Sequence, residues 1–341
     1  MVVFYHYSSE IIPDVIYNNF IIRQSWSFVD FFFVLSGFVI VYNYKNLCNV
    51  NDFYTYIKKR FIRLYPLLLF STLVFLIFLV VSNTYLQDYM NNEKDIKSMF
   101  IDTCNTLLLL NSTSIIDGGV GMNYPSWSVS SEFICYLFFG ISSLFFIRKK
   151  QFISLLIITG CIILNILNIE SNTIKIGNLG FLRGLIGFNI GVLIYYLSNI
   201  KFNICNKIEY LVPVLILIYF YFFHTFEFEN KSMIDFIFRP IMFGLTILIL
   251  IKTNDYISKF LDAKPLKFLG KISYSVYLNH AILIIVIPKI IFDILAFTQN
   301  IFTEIFVFVV CLFFTVLYSY FTYKYIEFGF GKFLNKIIIK K

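Results

Sequence analysis

Apolar residues in this chain come in blocks. Nearly charge-free runs lie near residues 28–44, 64–82, 127–147, 152–169, 179–199, 209–224, 234–251, 268–291 and 303–323. At a rise of about 1.5 Å per residue, a helix of roughly 20 apolar residues crosses a hydrocarbon core about 30 Å thick, so each run predicts a spanning helix. An N-terminal run over residues 1–12 is shorter and reaches only ~18 Å as a helix. It carries Ser8, Ser9 and Glu10, is followed by Pro13, and reads as the second half of a span. Residues 99–110 (MFIDTCNTLLLL) form a short apolar segment suited to a re-entrant or interfacial position. The expected fold is an all-α membrane protein of about ten transmembrane helices, the first truncated, in a single integral domain over 1–341. Neither an internal repeat nor a linker interrupts it.

Composition agrees. Hydrophobic residues make up 59% of the chain and charged residues 14%, against about 25% charged in soluble domains, and the mean hydropathy is +0.78. The net charge of +8 therefore reads as topology rather than nucleic-acid binding. Segments 43–63, 147–151, 199–209, 252–271 and 324–341 hold 20 of the 28 Lys and Arg. That side is the expected cytoplasmic face of the membrane, with the C-terminus inside. The six cysteines are scattered without a CxxC pair, and His6, His224 and His280 form no ligand cluster, so neither a disulfide framework nor a metal site is predicted. No nucleotide-binding loop, nucleophile elbow or zinc-protease signature is present.

Chemistry must come from polar residues inside the spans. In "PSWSVSSEFICYLFF" (125–139), Glu132 stands five residues past Trp127, roughly 8 Å along a helix. Trp127 suits an interfacial aromatic belt, while Glu132 either faces a polar cavity or reaches back to the interface. His6 carries an imidazole able to move a proton near neutral pH, though a lone His in an apolar helix is more often a packed residue. "YIKKRFIRLYP" (56–66) places Arg60 and Arg63 at i,i+3 on one helical face. Two guanidinium forks suit phosphate, although basic residues beside a span normally fix topology. Pro66 reads as the first turn of the next helix. Asp30 and Ser36 lie within "SWSFVDFFFVLSGFVIVY" (25–42), where Gly37 suits close helix packing, as do Gly184, Gly187 and Gly191 in "FLRGLIGFNIG". Arg183 either snorkels or holds Glu132. His280, beside Ser273, Tyr274, Ser275 and Tyr277, suggests a polar network.

These segments, in this order, resemble the acyltransferase 3 family of bacterial integral-membrane enzymes. The resemblance rests on His6, "VDFFFVLSGF" (29–38), "KKRFIRLYP" (58–66), "WSVSSE" (127–132), "LRGLIGF" (182–188), "LGKISYSVYLNH" (269–280) and "YIEF" (325–328). It implies ten transmembrane helices and transfer of an acyl group, usually acetyl, from cytoplasmic acyl-CoA to a glycan or lipid-linked sugar. The donor is a substrate, and no bound cofactor is implied. By resemblance His6 is the catalytic histidine, Arg60 and Arg63 sit by the CoA phosphates, and Glu132 is a functional acid. Asp30, Ser36, Trp127, Arg183 and His280 are candidates for the substrate cavity. The family commonly places an Arg eleven residues before its His, and only five residues precede His6 here. A start called too late or a truncated, inactive copy would each produce that difference. A transporter or flippase for a lipid-linked saccharide is the rival from another class.

Overall fold

The computed structural model describes residues 1–6, 14–45, 47, 49–85, 95–116, 119–146, 149–169 and 176–338. Among them there are helices and no strands. Three short helices, α1 (Val2–Tyr5), α2 (Asp14–Tyr17) and α3 (Phe20–Arg23), lead into α4 (Phe28–Asn43), α5 (Val50–Tyr85) and α6 (Ile96–Leu107). Then follow α7 (Trp127–Phe145), α8 (Lys150–Ile169), α9 (Ile176–Ser198), α10 (Leu211–Thr225) and α11 (Lys231–Lys252). The chain closes with α12 (Tyr256–Leu261), α13 (Lys264–Lys289), α14 (Ile301–Thr322) and α15 (Gly331–Ile338). Each of the nine apolar runs falls on a helix. Among the described residues, eight helices are long and apolar enough to cross a membrane, and Lys150–Leu164 in α8 forms a shorter apolar one. This is a multi-pass, all-α membrane protein. Residues 7–12 of the N-terminal run, and Pro13 after it, lie outside the described residues.

One boundary differs from expectation. The basic segment before the 64–82 run is itself helical, so α5 is a single helix of 36 residues with Pro66 inside it. Pro66 has no N–H for the Ile62 carbonyl. Ile62 is buried, and its carbonyl lies 3.8 Å from where a Cβ on Gly331 would stand. Packing against α15 and the Tyr323–Phe330 segment before it carries the helix through the proline, and Arg60 and Arg63 ride on one continuous helix.

The centre of the body is α9. The 18-residue window within Leu179–Ser198 is 72% buried, against 17% in the last long span, and α9 packs on α4, α7, α8 and α11. A helix apolar on all sides suits such a position. Its contact with α4 is backbone to backbone: a Cβ on Gly37 would collide with the Phe188 carbonyl, and one on Gly191 with the Val34 carbonyl. On the same face of α9, a Cβ on Gly187 would stand 2.9 Å from Phe33 Cβ, and one on Gly184 3.0 Å from Ser131 Cβ. The small-residue spacing thus does the packing it predicted.

Asp30 locks this contact. Arg183 of α9 donates to it twice, Nε to Oδ1 at 2.8 Å and Nη2 to Oδ2 at 2.6 Å. Arg239 of α11 donates Nη1 to Oδ2 at 3.0 Å and is ion-paired to Asp235 one turn earlier. Tyr219 of α10 donates to Asp235 at 2.5 Å. Trp26 lies across both guanidiniums, 3.9 Å from Arg239 and 4.6 Å from Arg183, with Trp127 5.4 Å from Arg183. Arg183 therefore neither snorkels nor holds Glu132; its side chain is only 11% exposed. Trp127 is likewise no belt residue, at 7% exposure.

Two stability predictions follow. Gly191→Leu should drop the unfolding temperature in detergent by several degrees, the loss expected for overpacking by about 1–3 kcal/mol. Gly160→Leu, where a Cβ meets nothing within 4 Å, should leave it unchanged. Asp30→Ala strands the buried Arg183 guanidinium and leaves Arg239 with Asp235 alone, and should cost about 3–5 kcal/mol. Both tryptophans of the chain touch the cage, so intrinsic fluorescence during thermal unfolding reads the loss; a melting curve matching the unaltered protein would refute the locking role.

Candidate active site

A cleft of about 300 Å³ opens between α4, α5, α7 and α13. The i,i+3 spacing on α5 presents both Arg60 and Arg63 to it, α4 contributes Ser36, and α13 contributes Tyr274 and Tyr277. Successive turns of α7 place Ser128, Glu132 and Tyr136 along its wall. Glu132 Oε1 accepts from Ser36 Oγ at 2.8 Å and from the Tyr136 hydroxyl at 2.5 Å. The acid thus faces a polar cavity rather than reaching for an interface, and Arg63 lies within electrostatic range.

The two arginines differ in engagement. Arg60 donates Nη2 to the Tyr44 hydroxyl at 3.1 Å, and its buried Nε has no partner. Arg63 is ion-paired to Glu327, yet its side chain is 46% exposed while that of Glu327 is 2% exposed. Ser275 also donates to Glu327, at 2.6 Å. Glu327 sits on a π-helical segment, Tyr323–Phe330, a local widening of the helix often found where function needs a side chain re-aimed.

Both arginines also line a second, wider cavity of about 620 Å³. Lys59, Lys271 and Lys332 stand around it with them, and Glu327 is its one acidic wall residue. Lys271 lies 5.5 Å from the Tyr323 ring and Lys332 lies 4.3 Å from that of Phe328. This is a basic bowl with aromatic walls, joined to the cleft at Arg60 and Arg63.

The far end of the cleft is neutral. Ser128 Oγ donates to the Tyr277 hydroxyl at 2.8 Å, and the Tyr277 ring lies 5.9 Å from that of His280. Beyond it stands His6, at the end of α1, with its ring 5.1 Å from His280 and 4.8 Å from Tyr124. Among the described residues no hydrogen bond or ion pair joins His6 to Glu132; the neighbours of His6 are the rings of Tyr5, Tyr124 and His280.

Of the nine residues singled out from sequence, Ser36, Arg60, Arg63 and Glu132 come together in the cleft, and His6 pairs with His280 past its end. Asp30, Arg183 and Trp127 belong to the ion cage instead. Sequence reasoning missed Arg239 and Asp235, although "DFIFRP" carries a charge pair at i,i+4 inside an apolar run. It also missed the roles of Glu327, Tyr124 and Tyr136, for which no spacing argues. Among the described residues no group of His, Cys, Asp and Glu is placed to hold a metal ion.

No curated protein and no solved structure matches the chain. A family model described as an acyltransferase domain matches residues 1–324. That covers the cage, the cleft, both arginines and both clustered histidines, and the chain belongs to the acyltransferase 3 family of membrane acyltransferases.

Proposed function

We propose that the protein moves an acyl group, acetyl by resemblance, from acyl-CoA in the cytoplasm to a hydroxyl of a cell-surface polysaccharide or lipid-linked sugar in a bacterial envelope. One observation carries the reading: the basic bowl and the cleft meet at Arg60 and Arg63. The bowl offers five cations against one carboxylate, which suits the phosphates of a CoA better than a neutral head group. The narrower cleft, with Ser and Tyr hydroxyls along an apolar wall, suits a thin arm that ends in a thioester.

In this reading His6 is the general base. It takes the proton of the acceptor hydroxyl as the oxygen attacks the thioester carbonyl, and the leaving thiolate takes a proton back. Arg60 and Arg63 hold phosphate, with Glu327 giving up Arg63 as the ligand arrives. Glu132 is the acid of the cleft, oriented by Ser36 and Tyr136.

The test is equilibrium binding of acetyl-CoA to the detergent-solubilised chain, alongside thiol release in the presence of glycan acceptors. Arg60→Ala/Arg63→Ala removes two charge-assisted anchors and should weaken binding at least ~100-fold. His6→Ala should abolish transfer while binding stays within a few-fold. Full acyl transfer by the His6→Ala protein would end the proposed mechanism, and binding indifferent to the double arginine substitution would move the CoA site elsewhere.

A further inference from the structure

Among the described residues, one ring nitrogen of a histidine is buried with nothing to bind. His280 on α13 is fully enclosed, and its Nδ1 lies 2.6 Å from the Tyr277 carbonyl oxygen. A carbonyl only accepts, so Nδ1 carries the proton and Nε2 of the neutral ring is a bare lone pair. Among the described residues that Nε2 has no hydrogen-bond partner. An acceptor left unpaired in the interior is destabilising. Packing does not call for an imidazole here, because the ring contacts to Tyr277, Tyr124 and His6, at 5.9, 6.1 and 5.1 Å, are ones a phenyl ring would make as well.

The neighbour that can use the lone pair is His6. We propose that His280 is the positioning residue of the catalytic imidazole: its Nε2 holds the second ring proton of His6, directly or through one water. A buried carboxylate performs this task for histidine in hydrolytic triads, and here a second imidazole does so. The proposal rests on the reading of His6 as general base. As the acceptor hydroxyl gives its proton to His6, the other N–H of the new imidazolium is held by His280 and the positive charge spreads over two rings. The C–O bond of the ester forms, the C–S bond of the thioester breaks, and the thiolate recovers the proton from His6. Thioester and alcohol become ester and thiol, and both histidines end as they began.

The surroundings favour a neutral partner. Titratable groups facing His280 are His6 and the Met1 amino group from the N-terminal segment, Tyr124 from the turn before α7, and Tyr277 on its own helix. Among the described residues no carboxylate touches either ring. The tautomer of His280 is set by the Tyr277 carbonyl, so Nε2 is ready as an acceptor without any rearrangement.

The chain has three histidines, so ring-15N-histidine NMR of the detergent-solubilised protein can be assigned with a His224→Gln variant. His280 is expected in the Nδ1–H form. In His280→Phe the His6 imidazolium loses its acceptor, and its titration midpoint should fall by roughly 1 pH unit, the scale of two coupled sites. His280→Gln keeps an acceptor oxygen and should recover most of that shift. Turnover of acetyl-CoA, read as thiol release, should fall ~100-fold in the Phe variant with the donor KM unchanged. An Nε2–H tautomer at His280, or a His6 titration identical in the unaltered and Phe proteins, would overturn the proposal. A protein that titrates as expected yet releases no thiol keeps the pair and sinks only the acyl-transfer reading.

Discussion

A carboxylate among apolar helices persists only where cations are brought to it, and Asp30 is met by two. The effective penalty for burying each ion is several kcal/mol, so α4, α9 and α11 must hold Arg183 and Arg239 against Asp30 within hydrogen-bond distance. That demand explains the rest of the central packing. Helices that close on one carboxylate need bare backbone where they touch, which is what Gly37 and Gly191 supply. Small residues then set how deeply α4 and α9 nest, and the nesting fixes which face of α4 is left for Ser36 and the cleft wall.

The second ion pair has a different character. Glu327 is buried but Arg63 is half exposed, and it opens into a basic bowl. Where Asp30 is met by two cations and shares Arg239 with Asp235, Glu327 is paired with an Arg63 that stays open to the bowl. The two networks divide the molecule: a locked half built on α4, α9 and α11, and a half built on α5, α13 and the Tyr323–Phe330 segment. The cleft lies along their seam.

The fold was legible because lipid simplifies the code. Long uncharged runs predict helices, and every one became a helix. Lys and Arg beside the spans suggested Arg60 and Arg63 as a pair, and their i,i+3 spacing does put both on the cleft. What sequence could not supply was pairing between distant helices. Local sequence leaves Glu132 open as a partner for Arg183, and only the approach of α4 to α9 shows that Arg183 belongs to Asp30, 153 positions away. Pro66 misled for a related reason: a proline beside a basic segment reads as a helix start, but tertiary packing by α15 and its neighbours carries the helix straight through. The joining of His6 to His280 likewise depends on α1 meeting α13, which no local pattern encodes.

Charge along the cleft gives it a direction. Cations gather at the bowl, Glu132 stands partway along, and the far end offers only neutral hydroxyls and imidazoles. A phosphate bound at Arg60 and Arg63 would meet like charge from Glu132 if it moved deeper, in surroundings where the repulsion is stronger than in water. A neutral thioester meets no such barrier. Under the proposed function, Glu132 would therefore sort one end of an acyl-CoA donor from the other: the polyanionic part would stay at the mouth, and only the uncharged reactive end would advance toward Ser128, Tyr277 and the histidine pair.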